Sequence, residues 1–361
     1  MAGSDIRVGL IGYGFVGKTF HGPMIAATSG MTLVAVASSR PREVGRDYPD
    51  VEVVPTPEDL IARDDLDLVV IASPNETHRL LAEAALRSGK NVLVDKPFML
   101  SLSDARSVVE TARLCGKSVS VFQNRRWDSD FLGVKSVIDS GRLGRIAHFE
   151  SHIEKFDPVP GPGWRDAFVP GAGMWFDLAP HMVDQALLLF GLPTAVTAEI
   201  AVIRPESEVD DWFEVILRYP THRVTLHGSM VVAGGTSRFS VHGAAGSLIK
   251  HGADRQEDRL KQGCIPGSPG FGDDDDAMMF HKSDGETETL PTPPGDQMAF
   301  YRALAAALRG EKPNPVSTNQ ALGVMAVIET AIEASKQGRT LPLPLSAEER
   351  AGWARTEEAL T

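Results

Sequence analysis

Six short apolar runs alternate with helix-like stretches in the first third of the chain, at 6–11, 33–37, 51–54, 68–72, 92–95 and 118–122. Helices between strands supply the crossovers that parallel neighbours require, so the pattern predicts an α/β domain with a doubly wound parallel sheet. Local signals agree with it. Thr56-Pro57-Glu58-Asp59 reads as an N-cap, a proline in the first turn and acids at the positive helix end. The stretch 80–87 stops at Ser88-Gly89, and Ser101 with Asp104 starts a helix that runs to Cys115. This first domain is expected to span 1–123.

Residues 124–361 keep a different rhythm. A helix is predicted over 130–139, a strand over 146–156, a Pro/Gly-rich loop over 157–173 and a helix over 177–190. Strands then follow one another at 196–203, 212–219, 223–232, 239–242 and 247–250. With no helices between them, they predict an α+β domain built on a largely antiparallel open sheet. The stretch 262–295, with four aspartates at 273–276, reads as solvated surface loop, since it lacks the ligand spacing of an EF-hand. Helices at 297–308 and 318–336 complete the prediction.

The loop after the first strand, Gly12-Tyr13-Gly14-Phe15-Val16-Gly17-Lys18-Thr19, fits two phosphate-binding patterns. Gly12, Gly14 and Gly17 match the dinucleotide fingerprint G-x-G-x-x-G, and the same stretch matches the P-loop G-x-x-x-x-G-K-[ST]. Both patterns hold phosphate on backbone N–H groups at a helix N-terminus. Short, regular βα steps favour the dinucleotide. In that reading Phe15 and Val16 line the cofactor and a helix from about Gly14 buries Val16 and Phe20. An NAD site places an acid at the end of the second strand. Here Ser38-Ser39-Arg40 stands there, hydroxyls and a guanidinium suited to a 2′-phosphate, which predicts NADP.

Asp95-Lys96-Pro97 follows the fifth strand, at the edge where open α/β sheets bind ligands. An X-Pro bond there is a candidate for the cis form. Asp177 and His181 are four residues apart at the start of an apolar helix and therefore share a helix face, with Pro180 in the first turn; taken alone, they read equally as an N-cap and a polar first-turn residue. Together a lysine, an aspartate and a histidine make a proton-transfer set for an alcohol. His181 serves as general base, Lys96 stabilises the alkoxide and Asp177 orients the hydroxyl or the imidazole.

Charge and cysteine usage exclude other classes. Against 36 Lys and Arg stand 48 Asp and Glu, a net charge of −12, which disfavours nucleic-acid and anionic-membrane partners. The two cysteines, Cys115 and Cys264, form neither a disulfide framework nor a zinc pattern, and no metal is expected. No basic leader precedes the first strand and no apolar run reaches about 20 residues, so a cytoplasmic protein is expected.

The motifs VGLIGYGFVGKTFHGPMI, VDKPF, QNRRWDSDF, FESH, WFDLAPHMVDQAL and VTLHGSM resemble the Gfo/Idh/MocA oxidoreductases, in a branch that includes NADP-dependent scyllo-inositol dehydrogenases. The resemblance implies a Rossmann domain followed by a mixed-sheet domain. It implies dehydrogenation of a cyclic polyol or sugar by Lys96, Asp177 and His181, and it sets the P-loop aside. By the same resemblance Ser73, Pro74, Asn75, His78, Asp95 and Lys96 flank the cofactor, while Asn124, Arg125, Trp164 and Arg165 border the substrate. Some family members are non-catalytic dinucleotide sensors, a role that an intact Lys96, Asp177 and His181 argues against. A sheet with one open face implies a homodimer or homotetramer. One position departs from the branch: Gln123 stands where His precedes Asn-Arg-Arg-Trp-Asp.

Overall fold

The computed structural model describes residues 5–163 and 166–360, the side chains of 356–360 excepted. Its contacts divide into two units. The first comprises 1–124, 256–271 and 296–322; the second comprises 125–255, 272–295 and 323–361. The expected single cut after residue 123 therefore omits two later segments that pack with the first unit.

In the first unit, β1 (Ile6–Ile11), β2 (Met31–Ala37), β3 (Glu52–Val54), β4 (Leu68–Ile71), β5 (Asn91–Val94) and β6 (Val119–Val121) form one parallel sheet. Their order, β3-β2-β1-β4-β5-β6, is that of the dinucleotide-binding fold and reverses direction between β1 and β4. Its helices start as their sequences dictate: Thr56 Oγ1 accepts the Asp59 N–H at 3.1 Å and Ser101 Oγ accepts the Asp104 N–H at 3.1 Å. The later segments close the core beside β6. Phe122 packs edge-on against Phe300 at 5.1 Å between centroids, and Asn314 accepts from the Ser120 hydroxyl at 2.7 Å.

In the second unit, eight strands run in the order β14-β13-β12-β11-β7-β10-β9-β8. These are β7 (Ile146–Glu154), β8 (Ala195–Ala201), β9 (Trp212–Arg218), β10 (Arg223–Ser229), β11 (Phe239–Gly243), β12 (Gly246–Lys250), β13 (Met278–Lys282) and β14 (Thr287–Leu290). Among the described residues of this unit only β7 and β10 pair in parallel. One face carries Phe149, Phe213, Val215, Leu226 and Phe239 into a core shared with Trp175, Met182, Val327, Ile328 and Trp353. The other face presents a polar row in which Glu150 and Glu154 flank His152, at 3.2 and 3.4 Å, and Glu154 also approaches His227.

Three expectations need correction. The stretch 262–295 holds β13 and β14, joined at Asp284-Gly285, where Gly285 takes a φ of 91° that glycine adopts freely. Asp274 and Asp276 pair with the fully buried Lys250, at 3.1 and 2.7 Å; the Asp274 carboxylate is buried with it, that of Asp276 is partly exposed, and Asp273 and Asp275 are exposed. A helix at Ala347–Leu360 follows a capping box, Ser346 with Glu349, that the sequence reading passed over. Among the described residues no helix is long and apolar enough to cross a membrane.

Candidate active site

The glycine loop is built from three glycines with different reasons to be glycine. Gly12 has a φ of 95°, and a Cβ there would run into the Ala72 carbonyl beside it. At Gly17 a Cβ would strike the Gly12 carbonyl, so this glycine lets the helix close onto the strand. Gly14 meets neither constraint: a Cβ there would touch nothing within 4 Å. The helix after the loop is already helical at Phe15 and Val16, passes through a π-helical turn, Gly17–His21, and continues as the α-helix Gly22–Ala26. Phe20 is buried as expected, but Val16 is only half-buried and Phe15 is exposed, its ring edge on Phe20 at 6.0 Å. Lys18 is paired with acids. Its ammonium lies 3.0 Å from Glu43 and 3.6 Å from Asp47.

At the end of β2, Ser38 Oγ accepts the Arg40 N–H at 3.0 Å, while Ser39 and the Arg40 guanidinium are exposed. The only nearby acid of Arg40 among the described ion pairs is Glu43, at 3.9 Å. After β4, the Ser73 hydroxyl lies 2.6 Å from Thr77 Oγ1, Pro74 is exposed and Asn75 half-buried. His78 sits beneath this loop. It is buried, and its ring nitrogens face the carbonyls of Pro97 at 3.1 Å and Ser73 at 3.0 Å, so it holds two loops together.

The turn after β5 separates Asp95 from Lys96. Asp95 turns its carboxylate inward, 3.5 Å from Nε2 of the fully buried His21, whose Nδ1 lies 2.6 Å from the Tyr301 hydroxyl. Burial, reinforced by the Asp95 charge, pushes the Tyr301 phenol above its ordinary range, so it stays protonated and can donate to His21. Asp95 thus supports this turn. Lys96 is half-buried, and the Lys96-Pro97 peptide is cis.

In the second unit, Asp177 and His181 lie on the helix Met174–Phe190. That helix starts three residues earlier than expected, so Asp177 is in its first turn and Pro180 sits in its interior, where proline cannot donate to the Phe176 carbonyl. The N-cap is Gly173, which has no side chain, and Asp210 takes over the task from outside the helix. Its carboxylate accepts the Trp175 N–H at 2.6 Å, and a Cβ on Gly173 would collide with it. Burial pushes the Asp210 carboxyl up to about 6. Lower down, Asp184 shares the face of Asp177 and His181 and is gripped by Arg126 through two bonds of 2.8 and 2.7 Å. Gln185 donates to the Arg125 carbonyl at 2.8 Å. Arg126 is expected with Arg125 at the border of the cleft, whereas Asp184, Gln185 and Asp210 carry no local sequence signal because each pairs with a residue far away in the chain.

Of the other expected substrate residues, Asn124 is buried and the Arg125 guanidinium lies 3.0 Å from Asp128. Trp164 and Arg165 lie outside the described residues. Among the described residues no group of three or more His, Cys, Asp or Glu is arranged to hold a metal.

Two family models cover most of the chain. Residues 6–123 match the NAD-binding Rossmann fold of an oxidoreductase family, and residues 135–345 match its C-terminal α/β domain. YdgJ of Escherichia coli, described as an uncharacterised oxidoreductase, is 47% identical over 94% of this chain and 99% of its own. The scyllo-inositol 2-dehydrogenase (NADP(+)) IolW of Bacillus subtilis is 34% identical over 94% of this chain and 96% of its own. A solved structure from Klebsiella pneumoniae superposes with a TM-score of 0.93 at 48% identity, over 98% of this chain and 99% of that one. With its 3-2-1-4-5-6 sheet, its glycine loop and both halves accounted for, this chain belongs to the Gfo/Idh/MocA oxidoreductase family.

Proposed function

We propose that this oxidoreductase uses NADP to interconvert a secondary alcohol and a ketone on a cyclic polyol or sugar, with scyllo-inositol and its inosose as first candidates. The observation that carries the reading is Gly14. Neither backbone conformation nor packing calls for glycine there, whereas close approach of a pyrophosphate to the backbone does. Gly12, Gly14 and Gly17 would hold that group, and Ser38, Ser39 and Arg40 would receive a 2′-phosphate that no carboxylate at the end of β2 repels. When bound, the nicotinamide supplies the hydride chemistry. This chain's residues manage the proton: His181 takes it from the hydroxyl at an imidazole nitrogen, the Lys96 ammonium stabilises the oxygen as charge develops, and Asp177 orients donor and acceptor.

The substrate class is supported by the name of IolW, not by the likeness to YdgJ. We also propose a cytoplasmic homodimer or homotetramer. Its support is the open face of the second sheet, with Phe156, Val202, Ile203 and Val231 exposed in the same unit; sedimentation velocity tests it.

The deciding experiment is a panel of inositols, inososes and aldoses with NADP and NAD, followed at the nicotinamide absorbance. Wild type should prefer NADP, and Ser38→Asp with Arg40→Ala should shift preference towards NAD by more than about tenfold, since a charge-assisted contact contributes about 1.5–3 kcal/mol. Equal use of both cofactors by wild type would overturn the NADP assignment, and silence across the panel would overturn the polyol.

A further inference from the structure

Beside the turn that carries Lys96 lies a polar side chain with no task in the fold. Gln123 follows β6, is 3% exposed, and its Oε1 is buried without a hydrogen-bond partner among the described residues. Buried carbonyl oxygens are paired in the great majority of cases, and each exception calls for a reason.

Strand register places this amide. β5 and β6 pair in parallel with Val94 opposite Val121, and the Phe122 N–H donates to the Val94 carbonyl at 2.9 Å. That bond carries the pairing one step past the strands and sets Asp95 beside Phe122. Asp95 and Phe122 both face His21, the carboxylate at 3.5 Å and the ring at 4.5 Å between centroids. Lys96 and Gln123 are the next residues of the two adjacent segments, in the turns that follow the strands, where the Gln123 N–H folds back to the Val121 carbonyl at 2.8 Å. Their common position is the carboxyl edge, where this fold receives ligands.

We propose that Gln123 is a ligand-contacting residue, whose carboxamide hydrogen-bonds the group that Lys96 serves. This rests on the dehydrogenase reading above and adds to it a specificity determinant. A carboxamide offers both a donor and an acceptor. Its complement is a group that can donate to Oε1 and accept from Nε2. Two sources present that chemistry at a dehydrogenase site, the carboxamide of the nicotinamide and a hydroxyl of the polyol.

Gln123→Leu removes the hydrogen-bonding groups at nearly constant size, and Gln123→Met serves as a second, more adaptable replacement. Three measurements are made on each: melting temperature without ligand, fluorescence titration with NADPH and with 2′-phospho-ADP-ribose, and kcat/KM on the best substrate of the panel. The ligand-free melting temperature should hold or rise, because an unpaired buried acceptor has been removed. If the nicotinamide is the partner, NADPH affinity falls about tenfold or more and that of the fragment, which lacks nicotinamide, is unchanged. If a substrate hydroxyl is the partner, both titrations match wild type and kcat/KM falls about tenfold or more. Variants that keep wild-type NADPH affinity and wild-type kcat/KM overturn the assignment, as does a variant that loses the fragment together with NADPH. Wild-type protein that binds no NADPH overturns the parent reading instead, a result visible in the same titration before any variant is compared.

Discussion

At the scale of single residues, the three loop glycines separate packing from ligand binding. Gly12→Ala forces a side chain into positive φ and against the Ala72 carbonyl, so it should cost on the order of 1–3 kcal/mol and lower the melting temperature. Gly14→Ala meets open space, so it should leave the ligand-free melting temperature within about a degree and remove most of the stabilisation that NADPH gives. Scanning both variants with and without NADPH checks the contrast. Replacing His181 with Ala should lower kcat by roughly 10²–10⁴, the usual range for a positioned acid–base group, and Lys96→Ala should be at least as damaging. A folded His181→Ala enzyme with near-normal turnover would refute its role. The roles proposed for Gly12, Gly14, Gly17, Lys96, Asp177 and His181 rest on short motifs that are legible in the sequence. What a motif does not reveal is which way a neighbour turns: Asp95 and His78 sit inside the expected stretches and spend their polar atoms on the fold.

At the scale of elements, the helix Met174–Phe190 shows where sequence signals stop. Its C-terminal end was readable, but its start was displaced to Asp177, because the residue that caps it, Asp210, lies 35 positions downstream. This cap makes a pH prediction. The folded carboxyl titrates near 6 against 3.8 for the ordinary group, so between these values the folded state binds the proton more tightly than the unfolded state. Asp210 therefore favours folding most at low pH, and that contribution is lost as pH rises from about 4 through 6, on the order of 3 kcal/mol in all. Asp210→Asn keeps an acceptor for the Trp175 N–H and has no proton to lose. The difference in stability, variant minus wild type, should grow across that window and level off above it, which urea titrations at a series of pH values would measure. A difference that stays flat would reject the assignment. The hairpin of β13 and β14 was missed for another reason: acidic and glycine-rich flanks masked an Asp-Gly turn signal that lies between two alternating runs.

At the scale of the whole molecule, the units interleave in sequence. Periodicity identifies which segments become strands or helices, but it cannot say that Phe300 and Tyr301 complete a core begun by Phe20 and Phe122. Long-range pairings such as Ser120 with Asn314 leave no local trace. A chain ended after Asn124 should for this reason fail to form a cooperative fold, even though it contains all six strands of its sheet. Heteronuclear NMR of that fragment should show collapsed dispersion, and well-dispersed resonances would contradict the prediction. The same interleaving sets a clock on biosynthesis. The last residue of the first unit, Leu322, leaves the ribosome about 200 residues after Asn124. At roughly 5–20 residues per second, that is a delay of about 10–40 s. Throughout it, Phe20, Phe122 and the floor of the Lys96 turn stand uncovered. The nascent chain is thus most vulnerable to aggregation and proteolysis after its cofactor-binding sheet has been made and before the helix bearing Tyr301 arrives to cover it.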